Sequence, residues 1–403
     1  MKANEILYLI IIAIFATDCS SDKKLNGDIP TIDIRKKYPK KEIVLNNIAE
    51  VTYVHLNSEN VDFIFRGGVK YITENSIVVV DISSGSILFF SKDGNPKTRF
   101  NRYGEGPEEY AEKNFFVVYD EISDEIYVNA PGRFSNSGHS ILVYSSAGEF
   151  KRKLRLPAWP FPLIDYDDQS LLLYDMRDQH KKIRREKDFS SLSVDSSYYR
   201  ISKTDGKVLE YINFPGNNID LTDRGDGNNR NAQNYMRIVN SANGLFLCNP
   251  ETDTVFLYEK DKTLTPVFCK TPLVHNSINP KTVMTGFIDT EGYQFIQIQK
   301  LLTIDKLRNI QRDEYIKDYV YDKQTGKIIY QKMISFDYQG KEFNIEANRT
   351  FFDGKSTQIH FELDLYELKQ AYKENKLKGQ LKELVATLNE DTDNNVIMLV
   401  SFN

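Results

Sequence analysis

The sequence contains no apolar run long enough to span a membrane and no excess of positive charge. Its unbroken apolar stretch, Ile6–Ala16, has 11 residues, whereas a membrane-spanning helix needs about 20. The chain of 403 residues carries a net charge of −5, with an isoelectric point of about 5.7. Such a chain exerts no long-range attraction on a polyanion, so we do not expect a nucleic acid as a partner.

Histidine is scarce, and the local motifs of common catalytic sites are absent. The five histidines include no His-Glu-x-x-His motif and no pair four residues apart. There is no Gly-x-Ser-x-Gly elbow and no glycine-rich phosphate loop. His55 and His360 lie within strand patterns, and we predict that both are packed. Metal ligands drawn from distant parts of a chain leave no local motif, so a catalytic metal site is not excluded.

Cysteine is also scarce, since only Cys248 and Cys269 occur beyond residue 19. Both lie in apolar runs, and a third apolar run, Thr254–Tyr258, separates them. If the three runs form a meander, the two cysteines lie two strands apart, at about 9.6 Å. A disulfide requires a Cα separation below about 7 Å. We therefore predict two free, mostly buried thiols.

The N-terminus has the order of residues that is typical of a secretory signal peptide. Lys2 and the free amine precede the apolar stretch, which ends in Ala16-Thr17-Asp18-Cys19. This ending resembles the lipobox of bacterial lipoproteins, whose cysteine becomes the lipidated first residue of the mature chain. Asp18 departs from that pattern, because a small residue usually precedes the cysteine. The alternative is a secretory signal that is cut at another position.

We interpret residues 1–18 as a lipoprotein signal peptide and Cys19 as the site of lipidation. The segment that follows is polar and aperiodic, so residues 19–42 are interpreted as a tether. A lipid on Cys19 would anchor the protein to a membrane of the cell envelope. We expect the outer membrane, with the protein on its periplasmic face or on the cell surface.

An apolar strand, a tight turn and a second strand recur along the rest of the chain. Glycine ends the turn in four of the five copies, because a tight hairpin turn needs a residue with positive φ. A lysine replaces the glycine in the fourth copy, so that turn is expected to differ. The turn residues, spaced by 54, 58, 56 and 64, are Gly94, Gly148, Gly206, Lys262 and Gly326.

Further short strands precede each hairpin, and four strands in each unit of roughly 55 residues are typical of a β-propeller blade. Residues 43–403 number 361, so six blades would take about 60 residues each. Seven blades would take about 52, below every observed spacing. We therefore predict an all-β protein, with a six-bladed β-propeller over residues 43–403. An early strand, Glu50–Leu56, should pair with the last blade, which would remove exposed sheet edges.

The last unit also contains a helical pattern. We predict one helix over Leu365–Leu388, inserted in the last blade. Its apolar stripe should pack on the propeller, and the alternative is that the stripe binds a partner. The residues of the stripe, which recur at helical spacing, are Leu377, Leu381, Leu384, Val385 and Leu388.

Segments near both ends of the chain resemble one protein family. Asn47–Leu56 is similar to the opening of the six-bladed, NHL-like β-propeller lipoproteins of the Bacteroides group. Phe89–Gly94 and Tyr103–Tyr110 resemble that family's first-blade signature, in which a glycine usually stands at the position of Glu108. Asp393–Val400 resembles the closing strand, although the third residue of that segment is often proline. The resemblance implies the six-bladed fold and the lipoprotein address, and it implies no activity.

Five side chains are candidates for ligand binding. The three glutamates of a Gly-Pro loop could hold a cation at a channel mouth, or the loop is a sharp crossing between blades. The single tryptophan could stack on a sugar ring or fill an interface between blades. One histidine lies in a Gly/Ser-rich loop. These candidates are Glu105, Glu108, Glu109, Trp159 and His139.

Two functions stay open at this point. The first is a non-catalytic binding or scaffold module for a glycan, a peptide or a protein partner, anchored to a membrane and monomeric. The second is a metal-dependent hydrolase or lyase with its site at the central channel, for which the metal is unknown. Carboxylates and histidines that converge on the channel axis would favour the enzyme, and an aromatic-lined face would favour binding.

Overall fold

The computed structural model describes residues 29–113, 115–129, 139–156, 160–175, 198–215, 238–249, 252–276, 280–302 and 304–402. Most of these residues belong to short strands or to the turns that join them. In chain order the strands are β1 (Thr31–Asp33), β2 (Lys40–Val44), β3 (Glu50–His55), β4 (Gly67–Ile72), β5 (Ser76–Asp81), β6 (Ile87–Ser91), β7 (Pro96–Phe100), β8 (Phe116–Asp120), β9 (Glu125–Asn129), β10 (His139–Tyr144), β11 (Phe150–Leu156), β12 (Pro160–Asp167), β13 (Ser170–Asp175), β14 (Tyr198–Ser202), β15 (Val208–Ile212), β16 (Ile238–Ser241), β17 (Gly244–Leu247), β18 (Thr254–Tyr258), β19 (Leu264–Thr271), β20 (Thr282–Asp289), β21 (Tyr293–Lys300), β22 (Ile316–Asp322), β23 (Lys327–Ser335), β24 (Tyr338–Phe343), β25 (Thr350–Phe352), β26 (Thr357–Leu363) and β27 (Val396–Phe402).

These strands form six sheets, each of which is one blade. Blade 1 is β4–β7, blade 2 is β8–β11 and blade 3 is β12–β15. Blade 4 is β16–β19 with β1 at its edge, and blade 5 is β20–β23 with β2 and β24 added. Blade 6 has the order β25-β26-β27-β3. Neighbouring strands within each four-stranded core are antiparallel and follow one another in sequence, except where β3 joins β27.

The blades surround a central channel. Of their innermost strands, β4 contacts β8, β8 contacts β12, β12 contacts β16, and β25 contacts β4. The innermost strand of blade 5, β20, contacts β16, but β16 and β25 also contact each other directly. Blade 5 therefore lies farther from the channel than the other five blades. The predicted all-β fold, a six-bladed β-propeller, is confirmed.

Central strands of the blades are buried along almost their whole length, and largely apolar, because both of their faces are covered by neighbouring blades. Every residue of Ser76–Asp81 in β5 is buried, and Val396–Phe402 in β27 is buried except at one position. A continuous apolar run, rather than an alternating one, is what a strand buried on both faces requires.

A strand from the start of the propeller closes the ring. β3 pairs antiparallel with β27, with His55 opposite Val396 and Val51 opposite Val400. The pairing expected for Glu50–Leu56 is confirmed. Because the two strands come from opposite ends of the chain, their pairing closes the ring and covers the edge of β27, with β3 as the outermost strand of blade 6.

Two short strands begin before residue 43, at which the propeller was expected to start. β1 pairs in parallel with β19, and β2 pairs in parallel with β23. Ile32 is fully buried in this position. These strands cover the outer edges of blades 4 and 5, which explains why a segment with so few apolar residues is ordered. The structured part therefore includes residues 29–42, which the sequence assigned to the tether.

The repeated turns adopt the conformation that their glycines predict. Gly94, Gly148, Gly206 and Gly326 all have positive φ, between 66° and 90°. The expectation that the fourth turn differs is wrong, because Lys262 adopts a φ of 70°. A lysine in this region carries the steric cost that glycine avoids.

The helical insertion lies between β26 and β27 of blade 6, as expected, but it is not one helix. It consists of two helices, α1 (Leu365–Lys373) and α2 (Gly379–Thr387). Asn375 and Gly379 break the helix, because their φ values are 55° and 52°. The predicted stripe is buried or half-buried in the core, which confirms its packing on the propeller. In the described part of the chain, no helix is long and apolar enough to cross a membrane.

Both predicted thiols are free. Cys248 is buried and Cys269 is half-buried. Cys248 directly follows β17 and Cys269 lies on β19, with β18 between them. The predicted meander of three strands, which places the two cysteines two strands apart, is confirmed.

Candidate functional site

A cavity of about 330 Å³ lies in the central channel. Residues of β4, β8, β12, β16 and β25 line it, together with two side chains of β26. Its volume is that of about ten molecules of liquid water, and ligand pockets begin at about this size. The channel, rather than any single blade, therefore forms the candidate site.

The cavity reaches one particular face of the propeller. Each blade repeats the same antiparallel order, so the connections between second and third strands lie on the same face as the connections between blades. We call this the loop face. Phe116, Ile238 and Asn348 begin or precede innermost strands, and all three line the cavity. Phe116 is 48% exposed, so it stands at the mouth.

One side of the cavity, which we call the apolar wall, comes from blades 3 and 4. It is formed by Leu163 and Ile164 of β12 and by Ile238 of β16. All three side chains are buried. An apolar group that displaces water from this wall gains about 25 cal/mol for each Å² that it covers.

Another part of the lining, which we call the charged wall, comes from blades 6 and 1. It is formed by Lys70 of β4, Arg349 just before β25, and His360 and Glu362 of β26. Two of these groups, Lys70 and Arg349, are cationic at neutral pH and Glu362 is anionic, so the wall is net positive. The lining of the cavity is therefore amphipathic.

Glu362 is fixed by neighbours from two blades. Its Oε1 accepts a hydrogen bond of 2.8 Å from the backbone N–H of Val69 and lies 3.8 Å from Nε2 of His360. Burial acts to raise the pKa of Glu362, but His360 and the Val69 N–H stabilise the carboxylate more strongly. The pKa of Glu362 is therefore lowered, and the group is ionised at neutral pH.

The close fit of Glu362 explains a glycine in β4. A Cβ on Gly68 would lie 2.5 Å from Oε1 of Glu362. Any larger residue at this position would displace the carboxylate from the Val69 N–H. Gly68 thus leaves room for the carboxylate in this position, and its φ is not in the left-handed region.

The ammonium group of Lys70 is partly buried. Burial lowers the pKa of Lys70, and the negative charge of Glu362 opposes this effect. The Nζ atom lies 5.9 Å from the centre of the Phe116 ring at the mouth. An additional negative group beside Lys70 would favour its charged form.

Aromatic rings support the charged wall. The ring of Phe351 lies 5.4 Å from the His360 ring and 5.7 Å from the Tyr71 ring. His360 Nδ1 also lies 3.1 Å from the carbonyl oxygen of Arg349. His360 is buried, so the prediction that it is packed is confirmed. The imidazole is held between its neighbours on the side away from Glu362.

A second group of charges joins blades 2 and 3 and does not line the cavity. Nζ of Lys203 lies 2.7 Å from Oδ2 of Asp120 and 2.7 Å from Oδ1 of Asp165. Burial raises the pKa of Asp165 to about 6, although Lys203 opposes the effect. The contacts span two blades, which indicates a structural role.

The three candidate glutamates lie in the connection between blades 1 and 2. Glu105, Glu108 and Glu109 are exposed, and none of them lines the cavity. Oε2 of Glu109 accepts a hydrogen bond of 2.8 Å from the N–H of Gly106 within the same loop. The hydroxyl of buried Tyr110 donates to the carbonyl oxygen of Gly85 at 2.7 Å, which anchors the loop. The loop makes the crossing between blades, and ligand binding by its glutamates stays a prediction.

The other candidates lie outside the described residues. Trp159 and Cys19 belong to undescribed segments, and only the backbone of His139 is described, at the start of β10. Their expected roles stay predictions.

The four residues of the charged wall were not identified as a site from sequence. Lys70 and Glu362 each lie between apolar neighbours within a strand, in Val69-Lys70-Tyr71 and in Phe361-Glu362-Leu363. A charged residue within a buried strand is uncommon unless it has a partner or a function. This was the signal available in the sequence.

The charged wall contributes one histidine and one carboxylate to the cavity. Across the described ranges, no three His, Cys, Asp or Glu side chains come close enough together to hold a metal ion.

Solved structures share this fold at low sequence identity. An exported protein from Bacteroides fragilis matches with a TM-score of 0.59 and 15% identity, covering 93% of this chain and 100% of that chain. A member of the DUF4221 family from Bacteroides vulgatus has a TM-score of 0.42 and 13% identity, over 88% of this chain and 97% of its own. Virginiamycin B lyase from Staphylococcus aureus has a TM-score of 0.39 and 12% identity, over 87% and 99%.

The first of these likenesses supports the fold and carries no information about activity. Among proteins of curated function, none matches this chain. A family model described as a domain of unknown function, DUF4934, matches residues 29–401. That range covers the six blades and the two N-terminal edge strands, and the chain therefore belongs to the DUF4934 family.

Proposed function

We propose that this protein is an exported, lipid-anchored and monomeric binding module that holds its ligand in the central channel without transforming it. The ligand is a glycan, a peptide or a segment of a protein partner that enters from the loop face. The single observation that carries the proposal is the cavity of about 330 Å³, which is lined by an apolar wall and a charged wall. Predominantly apolar pockets with a few fixed polar groups are typical of ligand sites.

The arrangement of the charged wall supports binding more directly than catalysis. Glu362 is already engaged by the Val69 N–H and His360, and its pKa is lowered rather than raised. A general acid needs a raised pKa and a general base needs one near the working pH. A carboxylate that stays ionised and fixed is suited to positioning Lys70 and a ligand.

Export and anchoring rest on the N-terminal sequence. Ile6–Ala16 has the length of a signal-peptide core, and Cys19 occupies the lipidated position of the motif that it resembles. The Bacteroides fragilis protein of the same fold is described as exported, which agrees with this proposal.

Lipid anchoring is tested by replacing Cys19 with alanine in the full chain. Acyl chains bind bilayers at about 0.8 kcal/mol for each buried CH₂, so the wild type should sediment with membranes and the variant should be soluble. Cys269→Ala, which removes a cysteine from the propeller, is the control and should sediment like the wild type. Equal sedimentation of Cys19→Ala and the wild type would contradict lipidation.

Binding in the channel is tested by filling the cavity. Asn240 of β16 lines the cavity and is only half-buried, so Asn240→Trp should occupy the space without removing an apolar contact. Thermal unfolding of both mature proteins is measured with a panel of glycans, short peptides and small organic acids. A ligand at 100 times its Kd adds about 2.7 kcal/mol, which raises Tm by about 3 °C in a domain of this size.

We expect at least one compound to raise the Tm of the wild type and not that of Asn240→Trp. Equal shifts in both proteins would place binding outside the channel. Conversion of the bound compound into a product by the wild type would contradict the non-catalytic part of the proposal.

A further inference from the structure

We infer that residues 35–41, which join β1 to β2 and begin β2, form a membrane-contact surface that binds the phosphate groups of anionic phospholipids. We call these residues the basic segment. The inference rests on the proposed lipid anchoring and adds a second contact to it. A lipid holds only the end of the tether, whereas the basic segment would turn the outer edges of blades 4 and 5 toward the bilayer.

Positive charge is concentrated in the basic segment, although the chain as a whole is acidic. Five of its seven residues are cationic and none is anionic, namely Arg35, Lys36, Lys37, Lys40 and Lys41. With the flanking Asp33 and Glu42, residues 33–42 carry five positive and two negative charges, a net charge of +3, against −5 for the whole chain. The segment is therefore a local exception on an acidic protein.

The two flanking carboxylates are already paired with cations of the protein. Both oxygens of Asp33 accept hydrogen bonds of 2.9 Å from the guanidinium of Arg35. Arg35 and, to a smaller extent, Lys36 lower the pKa of Asp33 to about 2. An oxygen of Glu42 lies 3.5 Å from Nζ of Lys332 on β23. Among the described residues, three lysines of the segment form no ion pair, and these are Lys36, Lys37 and Lys41.

The fold fixes the backbone of the basic segment and leaves its charges exposed. The hydroxyl of Tyr38 accepts a hydrogen bond of 2.9 Å from the N–H of Asp33, and the Tyr38 ring lies 5.6 Å from that of Tyr319 on β22. The carbonyl oxygen of Pro39 accepts from the N–H of Tyr330 at 3.0 Å. All five cationic residues of the segment are exposed. The segment thus presents its charges at a fixed place on the outer edges of blades 4 and 5.

The place of the basic segment in the chain favours a membrane as its partner. β1 and this segment are the first described part of the fold after Cys19. A lysine or arginine close to an anionic bilayer strengthens binding about fivefold, but only within a Debye length, which is about 10 Å at 0.1 M salt. A protein of net charge −5 gains no long-range attraction to such a surface. A lipid on Cys19 supplies the proximity that this short-range contact needs.

Vesicle binding by the protein without its lipid tests the inference separately from lipidation. The chain that begins at Ser20 contains every described residue. Its binding is measured by co-sedimentation at about 0.1 M salt. The vesicles consist of phosphatidylcholine alone or of equal parts of phosphatidylcholine and phosphatidylglycerol, and soluble polyglutamate is a third probe.

Charge-matched variants distinguish the basic segment from the rest of the surface. Lys36→Gln/Lys37→Gln removes two of its charges, and Lys36→Arg/Lys37→Arg keeps them. The control, Lys153→Gln/Arg155→Gln, removes two charges from exposed positions of β11, the outermost strand of blade 2. Two blades separate blade 2 from blade 5 in either direction around the ring. Because all four residues are exposed, each variant should have the Tm of the wild type.

We expect the wild type to bind vesicles with phosphatidylglycerol at least about thirtyfold more tightly than neutral vesicles. Lys36→Gln/Lys37→Gln should bind them about thirtyfold more weakly than the wild type, because each lost lysine costs about fivefold. The arginine variant and the control should stay within about threefold of the wild type. In 1 M salt, where the Debye length is about 3 Å, the preference of the wild type should disappear.

Four results would overturn the inference. The first is equal binding of the wild type to both kinds of vesicle, or binding to neither. The second is wild-type affinity in Lys36→Gln/Lys37→Gln, and the third is an equal loss in the control, which would assign the attraction to positive charge anywhere on the surface. The fourth is binding of polyglutamate without binding of vesicles, which would indicate an acidic protein partner. Lipidation is decided separately, by the sedimentation of Cys19→Ala.

Discussion

Replacing Gly94 with alanine is expected to lower the free energy of unfolding by about 3 kcal/mol or more. Gly94 has a φ of 90°, and a Cβ at this position would lie 2.1 Å from the carbonyl oxygen of His55. That oxygen is backbone, so it cannot move aside cheaply. The Gly94 carbonyl also accepts a hydrogen bond of 2.9 Å from the N–H of Asn57. The substitution therefore disturbs the end of β3, the strand that closes the ring.

The effect of the clash is separated from that of backbone strain by a matched control. Gly326 occupies the same turn position in blade 5, with a φ of 66° and no atom within 4 Å of an added Cβ. Gly326→Ala should cost only the strain of about 1–2 kcal/mol. Lys262→Gly, in the equivalent turn of blade 4, should stabilise the protein by about 1 kcal/mol, because glycine removes that strain.

Equilibrium unfolding in urea measures all three variants. Equal losses for Gly94→Ala and Gly326→Ala would show that the contact between the first blade and β3 is not tight. A loss of stability in Lys262→Gly would show that the lysine side chain contributes more than its strained backbone costs.

Replacing Lys270 with alanine is expected to cost about 3–5 kcal/mol. Nζ of Lys270 lies 2.7 Å from Oδ1 of Asp253, and the two side chains are 0% and 7% exposed. Lys270 also donates to the carbonyl oxygen of Pro272 at 2.6 Å. Without the ammonium, the carboxylate of Asp253 is left buried without its counter-charge, which is the costly half of breaking a buried ion pair.

The double variant Lys270→Met/Asp253→Asn tests this reason. It removes both charges, while the amide oxygen of the asparagine still accepts from the N–H of Val274, which now donates to Asp253 at 2.7 Å. The double variant should be more stable than Lys270→Ala by about 1–3 kcal/mol. Each single variant, Lys270→Met and Asp253→Asn, is also measured by urea unfolding. If their losses in the free energy of unfolding add up to the loss of the double variant, the cost does not arise from the unpaired charge.

The repeated elements of the fold were predictable from sequence because the pattern of each blade lies within one short segment of the chain. An apolar strand, a turn residue with positive φ and a second strand lie within a few residues of each other, so their spacing gave the number of blades. The pairing of β3 with the last blade was also predictable, because exposed sheet edges are unfavourable and this pairing covers one of them.

The departures from prediction have distinct physical causes. β1 and β2 are short and polar, and they are ordered only because the outer edges of blades 4 and 5 are available for parallel pairing. The predicted helix breaks at Asn375, which has a positive φ. The spacing of the apolar residues gives no information about this backbone conformation. Lys262 adopts the glycine conformation because the hairpin imposes it.

The candidate site could not be assembled from sequence because its contacts cross most of the chain. Glu362 and Val69, which are joined by a hydrogen bond, are 293 residues apart. They come together because blades 1 and 6 pack side by side in the closed ring. A charged residue between apolar neighbours of a strand marks Lys70 and Glu362 separately, but the sequence does not show that they line one cavity.

The structure of the protein with the compound that raises its Tm most tests the central claim most directly. The account predicts that this compound lies in the channel, in contact with side chains of both the charged wall and the apolar wall. A compound bound on the outer surface of a blade would contradict it.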